Sequence, residues 1–106
     1  MPKYLVTVSY TAEGIKGVLK DGGSKRKQVA EAAIKSVGGR IEAFYFAFGE
    51  HDAYLIVDAP DNVAVASVSM AIGASGAVTT KTVVLLTPEE VDQAAKKQAT
   101  YTPPGR

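Results

Sequence analysis

The sequence predicts an α+β domain, and three observations carry that prediction. Segments of period-two hydrophobic alternation exchange with segments of helical periodicity in the order β-α-β-β-α-β. Gly, Pro, Asp and Asn gather at the junctions, where the chain must change direction. A helix-capping pattern then follows the last strand and adds a terminal helix to the unit.

Lys3 to Tyr10 (KYLVTVSY) puts Tyr4, Val6, Val8 and Tyr10 on one side and Leu5, Thr7 and Ser9 on the other, as a strand does. Thr11 caps a short helix whose first turn carries Glu13, a charge that suits the helix dipole. Ile15, Val18 and Leu19 are its apolar stripe. Asp21-Gly22-Gly23 breaks this helix, and Ser24 caps a second one reaching Val37, with Ala30, Ala33, Ile34 and Val37 inward. Gly38-Gly39 supplies the stop. Arg40 to Phe48 is a strand, Gly49 to Asp52 a turn, and Ala53 to Asp58 the return strand. Pro60-Asp61 opens a helix running to Ala74, and Ala77 to Leu86 is the fourth strand. Thr87-Pro88-Glu89-Glu90 is a capping box with proline at the first helical position, starting a helix to Gln98. Tyr101 to Arg106 is an extended tail, so the expected organisation is one domain over residues 1–100 and a tail over 101–106.

This order is the ferredoxin-like βαββαβ unit: a four-stranded antiparallel sheet with both main helices on one face, plus a C-terminal helix. In a monomer the other sheet face should be polar. It is not. The second strand shows Ile41, Ala43, Tyr45 and Ala47 on one side and Phe44, Phe46 and Phe48 on the other, and the third shows Ala53, Leu55 and Val57 against Tyr54 and Ile56. The helix after Asp61 is apolar or small all round, as a helix buried on several sides is. Either the terminal helix or a second copy must cover the free face. The sequence therefore predicts a homo-oligomer, a dimer or higher, joined sheet to sheet.

Composition sets the outer limits. A chain of 106 residues supports one core, and 46% hydrophobic with 22% charged residues is ordinary globular composition. A formal charge of +1 gives no global field for nucleic acid or an anionic membrane, so neither is an expected partner. The absence of cysteine excludes disulfides, thiol catalysis and cysteine metal sites, and fits a cytoplasmic protein. Met1 to Tyr10 shows no leader pattern. Asn62 to Thr80 is uncharged, but its serines, threonines and glycines disqualify it as a membrane span.

Three blocks, VTVSYTAEGIKGVLKDGGS, GGRIEAFYFAFGEHDAYLIVDAPDN and TVVLLTPEEVD, give the chain a resemblance to the GYD domain family over nearly its whole length. The resemblance implies a small bacterial or archaeal protein of the dimeric α+β barrel type, and no biochemical role. Gly49 and Asp52 match the family's turn pattern, whereas His51 stands where the family usually has tyrosine. A tyrosine hydroxyl is lost there, but an aromatic hydrogen-bonding side chain is kept.

His51 is the chain's one histidine. It reads either as a turn residue bonding backbone or water, or as a ligand contact or general acid–base group. Alternation along a strand points Glu50 and Asp52 away from His51, so no metal site is expected, and no catalytic set can be assembled. Asp52 reads as an acid bonding the turn backbone, and Gly49 as a position needing an unusual φ. With Tyr10, Tyr45 and Tyr54, which pair an apolar body with a polar tip, His51 and Asp52 form the candidate ligand-binding set. Gly23, Ser24, Lys25 and Arg26 form a candidate anion site: cations at a helix start oppose its dipole unless an anion, or solvent, offsets them. Gly14 and Gly17, one turn apart, predict close approach by a neighbour. Lys81, the one charge of the fourth strand, is either a partner for a ligand carboxylate or an edge-strand cation. No cofactor is selected. Three functions fit: an oligomeric ligand-binding or sensor module with its pocket between sheet and helices or at the subunit interface, a cofactor-independent oxygenase or isomerase using His51, and a structural assembly unit.

Overall fold

The computed structural model describes residues Met1–Arg106. Its elements are β1 (Lys3–Tyr10), α1 (Ala12–Asp21), α2 (Gly23–Lys35), β2 (Arg40–Phe46), β3 (Ala53–Asp58), α3 (Asn62–Ala74), β4 (Val78–Leu85) and α4 (Pro88–Ala95). Local chemistry fixes most of the ends. Thr11 accepts from the Gly14 N–H and Asp61 from the Ala64 N–H, each satisfying an orphan donor at a helix start. At α4 the capping box is complete, with both the Thr87 and Glu90 side chains engaged. Between α1 and α2 the chain turns on Gly22, whose φ of +82° favours glycine. The cap of α2 is therefore Gly22, not Ser24, and no side chain caps it. That helix also stops at Lys35, before Val37, and β2 ends at Phe46 rather than Phe48.

The strands lie in the order β2-β3-β1-β4, all neighbours antiparallel, which is the ferredoxin-like arrangement. β1 pairs Val6 with Leu55 on one side and Thr7 with Lys81 on the other. A bulge falls at Glu42: Ile41 opposes Val57, yet Ala43 opposes Ile56. One extra residue reverses the phase of the strand. Ile41 thus packs on the core with Phe44, while Ala43 and Tyr45 turn the other way. The uninterrupted alternation expected for this strand fails at that point.

The core lies on one face. Tyr4, Val6 and Val8 of β1 and Ala53, Leu55 and Val57 of β3 meet Ile34 of α2 and Val65 and Val68 of α3. Each valine, leucine or isoleucine among them, fully buried, contributes about 1.5–3 kcal/mol. Tyr4 is only 1% exposed, and its hydroxyl donates to Asn62 Oδ1 at 2.6 Å, tying β1 to the start of α3. Gly14 is buried because α1 lies directly on the backbone at Ala77, where a Cβ would collide with the carbonyl oxygen. Gly17 meets nothing, so the close approach expected there is absent.

The terminal helix does not cover the sheet. Every residue of α4 is exposed, and the stretch that follows carries no helix or strand. The radius of gyration is 16.9 Å and the long axis 58 Å; a compact chain of this length has a radius of about 13 Å. The arm projects, and the second sheet face stays open. No helix is long and apolar enough to cross a membrane.

Candidate functional site

On the open face, strand register brings side chains into rows. Tyr45, Tyr54, Thr7 and Lys81 follow one another across β2, β3, β1 and β4. The next row is apolar: Ala43, Ile56, Leu5 and Val83. Tyr45 is 73% exposed and Val83 52%. His51 joins the aromatic end of this face. Its Nδ1 lies 3.3 Å from Ser9 Oγ, and its ring meets Tyr54 edge-on, with centroids 5.7 Å apart. Its partner is therefore a β1 side chain rather than turn backbone.

Asp52 works differently from the acid of a self-contained turn. Its Oδ2 accepts from the Tyr10 N–H at 2.7 Å, its own N–H donates to the Val8 carbonyl, and its carbonyl accepts from the Ala47 N–H. The first two bonds stitch the turn to the end of β1, and the third closes the connection between β2 and β3. Gly49 does not take a left-handed φ, so the backbone reason expected for that glycine does not hold.

Tyr10 faces the opposite side of the sheet from His51. There it borders a cavity of about 100 Å³ between the sheet and helices α2 and α3. Fourteen of its seventeen lining residues are hydrophobic, and the other three are Arg26, Ser69 and Thr80. No acid lines it. Arg26 and Tyr10 are half-buried, and Val29 is the one exposed lining residue, so the cavity reaches solvent beside the first turns of α2. A second, more open hollow touches Tyr4 and Asn62 on another flank of α3, but these two already bond each other.

The structure thus divides the candidate residues. His51, Tyr54 and Tyr45 share the open face; Tyr10 lines the cavity; Asp52 joins the two. In the proposed anion set, Gly23 is covered by the Phe46 ring, where a Cβ would lie 2.9 Å from Cε2. Ser24 and Lys25 are exposed, and Arg26 alone turns toward the cavity. The four do not converge on one point. The cavity lies between sheet and helices, one of the two places expected for a pocket, but its lining along α2 was not among the residues expected for it, although a signal was present. Arg26 precedes Ala30 by four residues and Ala33 by seven, which places a cation on the inward stripe of α2.

At the far end of the open face Asp58, 4% exposed, sits between two cations. Lys3 Nζ donates to its Oδ1 at 2.8 Å and also reaches Glu42. Arg40 Nη2 lies 2.8 Å from Oδ2, an ion-pair distance, but no donor is aligned on that oxygen. The hydrogen bond from Lys3 holds the Asp58 carboxyl below its ordinary range despite its burial, and the same bond raises Lys3. This cluster ties β1, β2 and β3 together. No three His, Asp or Glu side chains group to hold a metal ion.

Residues 4–95 match the family model described as GYD domain. No curated protein and no solved structure matches the chain.

Proposed function

The chain belongs to the GYD domain family, and we propose that it is a small-ligand-binding module acting as a homo-oligomer. The observation that carries the binding function is the cavity between the sheet and α2 and α3. A native core leaves few voids larger than a water molecule, so an apolar hollow of this volume, open to solvent on one side, is a receptor feature rather than a packing fault. At about 100 Å³ it is smaller than a dry apolar cavity of about 150 Å³ that accepts benzene, so a compact organic group would use its open side as well.

Assembly rests on the open face. Ala43, Ile56, Leu5 and Val83 form an apolar row there, with both signs of charge at its Lys3–Asp58 end, so a second copy can meet it without net repulsion. The projecting arm gives a further surface for that copy.

A cavity-blocking variant tests the binding function. Benzene or benzamide should raise the melting temperature of the native chain saturably. Ala33→Leu should abolish the effect while the variant remains folded by circular dichroism. An unchanged melting temperature across the accessible range of both compounds would count decisively against a binding module.

A second reading rests on the Ser9–His51 contact, a hydroxyl within reach of an imidazole. It makes the protein a cofactor-independent enzyme with His51 as general base. No acid orients the ring, so the pair lacks its third member. Turnover of a small organic substrate, lost in His51→Gln, would establish this reading in place of the first.

A further inference from the structure

The cavity has chemistry as well as shape. Along α2, Arg26, Ala30 and Ala33 follow at spacings of four and three and all line it. Arg26 is half-buried on that row, so its guanidinium has lost part of its hydration. No group in the chain replaces it. The ion pairs are Lys3–Glu42, Lys3–Asp58, Lys16–Glu13 and Arg40–Asp58, and none involves Arg26. No hydrogen bond from its guanidinium is made either, and the Ser69 and Thr80 hydroxyls beside the cavity are equally free. The lining therefore offers five guanidinium N–H donors and two hydroxyls around an apolar hollow, with no carboxylate to receive a cation.

The geometry points to a monocarboxylate with a compact apolar body as the ligand, held by Arg26 and buried against Phe44, Leu55 and Ile72. The inference rests on the cavity being a binding site and specifies what enters it. A guanidinium meets a carboxylate through two parallel N–H···O bonds, and partial burial strengthens both. A phosphate, with a larger charge and hydration shell, would need more than one cation. An amine would face Arg26 with no acid to receive it.

Benzoate, its neutral counterpart benzamide, and the Arg26→Met, Arg26→Lys and Lys25→Met variants test this by calorimetry, with amide shifts in α2 and β1 reporting location. A charge-assisted hydrogen bond corresponds to roughly tenfold or more in affinity. Benzoate should bind the native protein at least that much more tightly than benzamide. Arg26→Met should erase the difference while leaving benzamide binding within about twofold, which also shows that the variant folds. Arg26→Lys should keep part of the preference, and Lys25→Met all of it. Equal affinities in the native protein, or a preference that survives Arg26→Met, would overturn the carboxylate assignment and leave the cavity as a neutral site. Failure of both compounds to bind would remove the cavity reading with it.

Discussion

The backbone N–H of Tyr10 donates to Asp52 Oδ2 at 2.7 Å, and together with the bond from the Asp52 N–H to the Val8 carbonyl it joins the turn bearing His51 to the strand end that lines the cavity. The two faces of the sheet are mechanically connected there. Asp52→Ala strips the acceptor from a half-buried amide, and the expected cost is about 1–3 kcal/mol. Asp52→Asn retains a carbonyl oxygen that can accept, so it should cost less than half as much. Urea unfolding of the two variants, with hydrogen exchange at the Tyr10 amide, checks this. Equal losses in both would show that the bond is not what holds the turn.

The Asp58 cluster predicts how stability responds to pH. The folded carboxyl lies below its ordinary value of 3.8, so its contribution is complete above that pH and is lost as pH falls through the folded value. Lys3 lies above its ordinary 10.5, so its share is complete below 10.5 and disappears as pH rises through the folded value. The pair should give a flat profile between these limits. Asp58→Asn should cost about 1–3 kcal/mol at pH 7, and the gap from the native chain should narrow below pH ~4. Denaturant titrations over the acid range check it; a constant gap would refute the linkage.

The sequence made the element order legible because each element carries its own punctuation. Thr11, Asp61 and Thr87 cap helices, and Tyr4, Val6 and Val8 share a strand face, as local chemistry dictates. What stayed hidden depends on pairing. The bulge at Glu42 arises from register between β2 and β3, so alternation alone misplaced Ile41 beside Ala43. The partner of Asp52 lies on β1, 42 residues away, and no spacing rule reaches that far. Chemical type puts Tyr10 and Tyr54 in one group, whereas the sheet sorts them by parity onto opposite faces.

Two glycines one turn apart on α1 should respond oppositely to the same change. At Gly14 an added methyl meets the backbone oxygen of Ala77, which cannot move without shifting the start of β4. Gly14→Ala should cost about 1–3 kcal/mol or more, as overpacking does. Gly17 has open space around it and no left-handed φ, so Gly17→Ala should gain roughly 0.5–1 kcal/mol from helix propensity. Thermal denaturation of both variants gives the comparison, and a loss at Gly17 would reveal a neighbour in the assembled protein.

The open face can be tested separately from the fold, because Val83 is 52% exposed in the single chain. It lies on the edge strand β4, in register with Leu5 of β1, at the end of the apolar row that continues to Ile56 of β3. A glutamate there keeps its hydration in a monomer, so Val83→Glu should change intrinsic stability by no more than about 1 kcal/mol. In a sheet-to-sheet assembly the same charge would be buried without a partner, at a cost of several kcal/mol. Sedimentation at micromolar concentration should therefore show an oligomer for the native chain and a folded monomer for the variant. The melting temperature should depend on concentration in the first and not in the second. A native monomer would remove the need for a second copy, and an unchanged oligomer in Val83→Glu would place the contact on the arm of α4 instead.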